Sequence, residues 1–181
     1  MSDGGDCGVL RYNSAAGKGN GAPSDSVFFQ PGFATSGAGL NSDRVDFPIA
    51  TEIGPGVILL VADPNISCVL RRDDRDMVGA NPRANPVIGF SDLVSLNLID
   101  KPEDSLAGGS RLAHDAARDV PYISSQFSQH ILVIEDDATG SGRICVAAIL
   151  GQPDLATTSS GLSDSKSYLL SYATLDKGGR L

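Results

Sequence analysis

From Val27 onward, short apolar runs alternate with turn-forming residues along this chain. Apolar runs of about four to eight residues, bounded by Gly, Pro, Asn and Asp, are typical of β-strands. The pattern predicts strands at Val27–Phe29, Val45–Ala50, Gly56–Ala62, Ile66–Arg71, Val87–Phe90, Leu93–Ile99, His130–Glu135, Arg143–Leu150 and Lys166–Thr174, and a short one at Gly8–Tyr12. The clearest hairpin joins Val57–Val61 to Ile66–Leu70, because the connection Ala-Asp-Pro-Asn has the composition of a turn.

One segment predicts a helix. Arg111–Asp119 would place Leu112, Ala116 and Val120 on one helical face, and Pro121 would end the helix. A single short helix cannot supply the crossover connections that parallel strands need. The predicted fold is therefore mainly β, an antiparallel sandwich or barrel with one short helix.

Composition supports this fold, since Gly, Ser, Asp and Pro together supply 71 of the 181 residues. Gly and Pro break helices, and Asp and Ser compete with helical hydrogen bonds. The length suits one domain. We expect a flexible N-terminal arm at residues 1–26, a single β-rich domain at 27–176 and a C-terminal tail at 177–181, because the arm is rich in Gly, Ser, Asn and Asp.

Charge and cysteine content bear on which partners and metal sites the sequence predicts. The net charge of −8 opposes direct nucleic-acid binding, which depends on clustered cations. The three cysteines, Cys7, Cys68 and Cys145, are too widely spaced for a zinc site and odd in number. Cys68 and Cys145 are expected to be buried, and Cys7 to be accessible in the arm. The longest apolar run has seven residues against about 20 needed to span a membrane, so we expect cytoplasmic synthesis and no membrane partner.

Three predicted strands are apolar at every position: Val57–Val61, Ile131–Ile134 and Ile144–Leu150. A strand with one solvated face should instead alternate between apolar and polar residues. Both faces of these strands therefore need cover. A second sheet, a folded-over arm or another subunit can provide it, and so can a position in the middle of a thick or barrel-like core.

Catalytic signatures are weak. The histidines are His114 and His130, and no G-x-S-x-G sequence accompanies them. We assign no catalytic, cofactor-binding or metal-binding residue. The sequence leaves open whether the acidic cluster Asp73, Asp74 and Asp76 binds calcium, although interleaved arginines favour a charged surface turn.

These features favour a structural, self-assembling protein over an enzyme, with a virion shell or a cement (decoration) protein as the kind expected. Its partner would be a second copy or a partner shell protein. The candidate assembly contact is Val27, Phe28, Phe29 and Phe33. The alternative is a small hydrolase-type enzyme, favoured if His114 or His130 is buried in a cleft beside a carboxylate. A small-ligand or glycan-binding module comes third, favoured if aromatic side chains line an open concavity.

Overall fold

A computed structural model describes residues 1–39, 44–54, 58–66, 68–72, 85–88, 110–115, 117–126, 128–136, 144–154, 156–159, 161, 163, 174–176 and 178–181. Its strands are β1 (Ser2–Asp3), β2 (Gly8–Arg11), β3 (Ser26–Phe28), β4 (Ala50–Gly54), β5 (Ile58–Asp63), β6 (Cys68–Arg72), β7 (Asn85–Ile88), β8 (Ser110–Asp115), β9 (Val120–Ser125), β10 (His130–Asp136) and β11 (Ile144–Leu150). Within these ranges the helical structure is one 3-10 turn at Ala15–Gly17. The predicted mainly β fold is confirmed.

The strands form three antiparallel sheets. The N-terminal sheet has the order β1-β2-β3, the middle sheet β4-β5-β6-β7 and the C-terminal sheet β11-β10-β9-β8. In the middle sheet, Val61 lies opposite Leu70, so the predicted hairpin between the strands around Asp63-Pro64 is confirmed. The arrangement is sandwich-like, and none of the described sheets closes into a barrel.

The middle sheet is covered on both faces. Alternate residues of β5 and β6 pack in one cluster with residues of the N-terminal segment; its members are Val9, Phe28, Phe29, Val45, Leu59, Val61, Ile66, Cys68 and Leu70. The intervening residues pack with the C-terminal sheet in a second cluster, whose members are Leu60, Ala62, Val69, Ile123, Leu132 and Ile134. Because side chains alternate across a strand, these two clusters place the three sheets in three layers.

This layering explains the unbroken apolar pattern of β5. Leu59, Leu60, Val61 and Ala62 are all buried, because one set contacts the N-terminal sheet and the other the C-terminal sheet of the same chain. A second sheet and the folded-over N-terminal segment both supply cover. No second subunit is needed to explain this strand.

The predicted helix at Arg111–Asp119 is wrong. The segment forms β8 and the turn of an antiparallel β8–β9 hairpin, with Leu112 opposite Ile123. Asp115 organises the turn by accepting hydrogen bonds from the backbone N–H groups of Ala117 (3.0 Å) and Arg118 (3.3 Å). Asp119 then has φ 57°, a left-handed conformation that no α-helix tolerates in its interior.

The strand predicted at Val45–Ala50 is displaced, since β4 begins at Ala50. Two causes are local. The backbone N–H groups of Asp46 and Phe47 donate to the Asp63 carboxylate instead of a neighbouring strand, and Pro48 has no N–H to donate. The strand predicted at Leu93–Ile99, and all of Lys166–Thr174 except Thr174, lie outside the described residues.

The proposed division into an arm, a domain and a tail stays a prediction. Strands β1 and β2 lie within residues 1–26, and β2 pairs with both β1 and β3. Val9 of β2 is 2% exposed in the core cluster beneath the N-terminal sheet. Part of the predicted arm thus contributes to the first layer of the fold.

Candidate assembly surfaces

The four residues predicted to contact another subunit occupy different environments. Phe28 and Phe29 are 4% and 0% exposed in the core beneath the N-terminal sheet, and Val27 is half-buried. Phe33, by contrast, is 63% exposed. Of the four, Phe33 presents its ring to solvent, and contact of this set with another chain stays a prediction.

The segment that carries Phe33, residues 30–39, is called the Phe33 loop below. Its base is fixed by Gln30, which is 2% exposed. The Gln30 Nε2 donates hydrogen bonds to the carbonyl oxygens of Cys7 (2.7 Å) and Gly37 (2.9 Å), and its Oε1 accepts one from the Gly37 N–H (3.2 Å). The loop is therefore anchored to the N-terminal sheet at both of its ends.

The tip of the Phe33 loop is closed by a second set of hydrogen bonds. The Thr35 Oγ1 donates to the Gly32 carbonyl oxygen (2.7 Å), and the Thr35 backbone N–H donates to the same oxygen (3.2 Å). Phe33 lies between these two residues. These hydrogen bonds order the backbone of the turn that exposes the Phe33 ring. The turn backbone therefore has little conformational entropy left to lose on binding.

A second exposed apolar surface is strand β11. Val146 and Leu150 are 38% and 40% exposed, Ala147 and Ala148 are exposed, and Ile149 packs partly against the core. Its partner strand, β10, is different, because Ile131, Leu132 and Ile134 are buried. In β11, by contrast, Val146, Ala147, Ala148 and Leu150 are all exposed.

The edge position of β11 adds to this exposure. In the part of the chain that the structure describes, β11 pairs with β10 alone. The register shifts by one residue between Val133 and Ile134, which leaves Ala147 as a bulge. Natural edge strands are commonly protected by charged residues or Pro. Strand β11 contains neither.

His114 lies beside a carboxylate. Its Nε2 is 3.0 Å from the Asp119 Oδ1, and the side chains are 3% and 56% exposed respectively. This pair supplies the histidine beside a carboxylate that the enzyme alternative requires. Among the described residues, the structure shows no contact between His114 and a serine hydroxyl or cysteine thiol that could act as the nucleophile.

An ion pair follows His114 in the same turn. The Arg118 Nη1 donates to the Asp115 Oδ2 at 2.6 Å, and this bond, together with the backbone donors of the turn, lowers the pKa of Asp115. Because Asp115 is committed to Arg118 and to the turn, Asp119 is the carboxylate that contacts the His114 imidazole. The cluster serves first to build the β8–β9 turn.

His130 is buried at the start of β10. It is 1% exposed, and neither ring nitrogen has a hydrogen-bond partner within the described residues. Burial lowers the pKa of its imidazole. The register places His130 opposite Ser125 rather than beside a carboxylate, so it does not meet the condition for a catalytic histidine.

The described residues can be checked for groups of metal ligands and for the burial of the cysteines. Within the described ranges, no three His, Cys, Asp or Glu side chains lie together as metal ligands, and the Asp73, Asp74 and Asp76 cluster lies outside them. Cys68 is buried, as predicted. The predicted accessibility of Cys7 is wrong, because the folded N-terminal segment leaves it 8% exposed.

Comparison with known proteins adds no assignment. No protein-family model matches this chain, and no curated protein matches it. The portion that the structure describes contains no helix of the length and apolar character needed to cross a membrane.

Proposed function

We propose that this protein is a structural, self-assembling protein whose copies associate through the Phe33 loop and strand β11. The observation that carries the proposal is the exposed, uncharged strand from Val146 to Leu150, in a chain whose net charge is −8. Exposed apolar patches on soluble proteins commonly mark interaction surfaces. A virion shell or a cement protein, made in the cytoplasm and then incorporated, is the kind of structural protein that we propose.

The support comes from β11 and Phe33 rather than from the apolar pattern as a whole. Strand β5 is covered on both faces within the chain, so its composition says nothing about a partner. Strand β11 is uncovered and lies at an edge of its described sheet, where backbone groups can pair with another chain. Phe33 adds an aromatic side chain, a residue type enriched at the cores of protein interfaces.

The test is the native mass of the full chain over a wide concentration range, measured by sedimentation velocity. Wild type should form a discrete assembly as the concentration rises. The double variant Val146→Lys and Leu150→Lys should stay monomeric, because two cations would be buried against an apolar contact. Ile53→Lys is the matched control, since Ile53 is 63% exposed on β4 of the middle sheet, which carries neither proposed contact, and should assemble as wild type does.

Two results would contradict this proposal. The first is a wild-type chain that is monomeric at every concentration. The second is assembly of the β11 double variant to the same extent as wild type. Circular dichroism of each variant checks that it retains the β-rich fold before its mass is interpreted.

The second candidate is a hydrolase-type enzyme at His114. A carboxylate bonded to an imidazole can orient the ring so that its other nitrogen accepts a proton from water or a hydroxyl group. Hydrolysis of a chromogenic ester by the full chain, lost in both His114→Gln and Asp119→Asn, would favour it. His130→Gln is the control and should leave any such activity unchanged. Equal rates with wild type and His114→Gln would end this alternative.

A further inference from the structure

The two exposed apolar surfaces lie in opposite layers of the molecule. The Phe33 loop is bonded to Cys7 in the N-terminal segment, and the Gly39 N–H donates to the Val45 carbonyl oxygen (3.2 Å), so both ends belong to the first layer. Strand β11 belongs to the C-terminal sheet, the third layer. The middle sheet separates these layers by packing on both. Phe33 therefore cannot cover β11 of its own chain.

The segments that form these two surfaces lack charged residues, which favours contact between copies of an acidic chain. The sequence has no charged residue from Ser26 to Ser42, and none from Ile144 to Pro153. In a chain with 22 acidic and 14 basic residues, such stretches let two copies approach without opposing carboxylates. Both surfaces thus suit a second copy of this chain.

One described charge beside each surface is opposite in sign to one beside the other surface. At the base of the Phe33 loop, the Arg44 Nη1 donates to the Gly37 carbonyl oxygen at 3.1 Å, which places a cation there. Beside β11, the exposed Glu135 of β10 lies opposite Cys145 in the strand register. A contact between loop and strand brings the Arg44 cation of one copy towards the Glu135 carboxylate of the other, whereas a strand-to-strand contact would not bring Arg44 to Glu135.

We propose that copies of this chain join head to tail, with the Phe33 loop of one copy seated on β11 of the next. This inference rests on the proposed self-assembly. Phe33 contacts the exposed side chain of Leu150, and Arg44 of one copy faces Glu135 of the other, which the register places on the same face of the sheet as Leu150. Because the two surfaces differ, the contact is heterologous, and repetition gives a closed ring or an extended filament rather than a two-fold dimer.

Each head-to-tail contact is weak alone. A fully buried aromatic side chain removes about 150–250 Å² from solvent, well short of the roughly 800 Å² per partner of a standard interface. Assembly should therefore depend steeply on concentration, until ring closure or a supporting surface holds several contacts at once.

Complementation between two variants tests the arrangement. Phe33→Ser removes the loop contact and leaves β11 intact, whereas Leu150→Lys blocks β11 and leaves the loop intact. Each variant alone should be monomeric under conditions where wild type assembles. At concentrations high enough for wild type to form dimers through a single contact, an equimolar mixture should form dimers and nothing larger, because one productive contact remains between the two variants and both outer surfaces are blocked.

A charge reversal provides a second measurement. Arg44→Glu and Glu135→Arg should each weaken assembly, and the chain that carries both substitutions should recover it. Ile53→Lys again serves as the control with unchanged assembly. If both single variants lose assembly and the double variant does not recover it, Arg44 and Glu135 do not face each other in the contact.

The outcomes separate this inference from the proposed function. If Phe33→Ser assembles like wild type while Leu150→Lys does not, the contact joins β11 to β11. Self-assembly then stands and the head-to-tail arrangement is overturned. A mixture that stays monomeric also overturns the arrangement. A wild-type chain that never assembles overturns both.

Discussion

The guanidinium carbon of Arg72 lies 4.8 Å from the centroid of the Phe28 ring. The same carbon is 5.6 Å from the centroid of Phe29, and Arg72 is 1% exposed. Arg72 comes from β6 of the middle sheet and Phe28 from β3 of the N-terminal sheet, so this contact joins two layers. A desolvated cation over an aromatic face contributes about 2 kcal/mol.

Arg72→Lys should lower the free energy of unfolding by about 1–2 kcal/mol. A lysine ammonium keeps the charge but cannot lie flat against two rings, and it is more strongly hydrated than a guanidinium. Urea denaturation measures the change. Arg180→Lys is the control, because the Arg180 side chain is 85% exposed and should leave stability unaltered. Equal stability of Arg72→Lys and wild type would mean that stacking contributes nothing.

Asp63 connects the β5–β6 turn to the segment before β4. It is 0% exposed, and its Oδ2 accepts hydrogen bonds from the backbone N–H groups of Asp46 (2.6 Å) and Phe47 (3.0 Å). Its Oδ1 accepts from the N–H groups of Asn65 (3.1 Å) and Ile66 (3.4 Å). Burial raises the pKa of this carboxyl group, and the backbone donors act in the opposite direction.

Asp63→Asn should destabilise the fold by about 2–6 kcal/mol. An asparagine amide has one acceptor oxygen, so its NH₂ group would face two backbone donors that then lack a partner, at about 1–3 kcal/mol each. The chemical denaturation midpoint measures this loss. Asp46→Asn is the matched control, because that side chain forms an exposed hydrogen bond to Asn65. If both variants lose the same stability, the buried carboxylate is not the cause.

Phe29 and Phe33 allow stability and assembly to be separated. Phe29→Ala should cost about 3–5 kcal/mol of unfolding free energy, since the ring is fully buried between two layers. Phe33→Ala should change stability little, because that ring is in solvent. Thermal unfolding of the two variants at a low concentration, where copies remain separate, measures this difference. Similar losses in both would show that Phe33 is also part of the core.

The local pattern predicted much of the middle sheet but not what covers it. The β5–β6 hairpin follows from apolar runs on either side of Asp63-Pro64. The apolar pattern of β5 shows that both faces need cover, yet the first layer includes Val9, an isolated apolar position in a Gly-rich segment. Long-range packing of this kind leaves no periodic signal in the sequence.

Two features that the sequence did not predict have specific physical origins. Neighbouring strand residues normally face opposite sides, but Phe29 follows β3 with φ 65°, and both Phe28 and Phe29 reach the same core cluster. The sequence therefore could not separate them from exposed Phe33.

The β8–β9 hairpin was missed because it buries polar residues: Asp115 is 6% exposed, and Ser124 and Ser125 are 0% exposed.

Native thiol labelling should be slow at Cys7 and Cys68. Both are buried, and burial raises the pKa of each thiol, so little thiolate is present at neutral pH. Nearby carboxylates, with Asp46 first among them, raise the pKa of Cys7 further. Chains that retain one cysteine each, labelled with and without urea, test this expectation. Rapid labelling of Cys7 in native buffer would place the N-terminal segment away from the core.

His130 should make the fold sensitive to mild acid. Burial lowers its pKa below the ordinary value of about 6.5, so the unfolded chain binds a proton more readily than the native chain. Its contribution to stability is therefore intact above about pH 6.5 and is lost as the pH falls towards the lowered pKa. Within the described residues, neither ring nitrogen has an acceptor that could stabilise the imidazolium ion.

Urea denaturation at a series of pH values between about 7.5 and 5.5 measures this dependence, in a window above the ordinary carboxyl titrations. Wild type should lose stability steadily as the pH falls. His130→Leu should lose less, because an apolar side chain has no proton to bind in either state. His114→Gln is the control and should retain the loss due to His130, since that residue is unchanged. If His130→Leu keeps the same pH slope as wild type, another group causes the acid sensitivity.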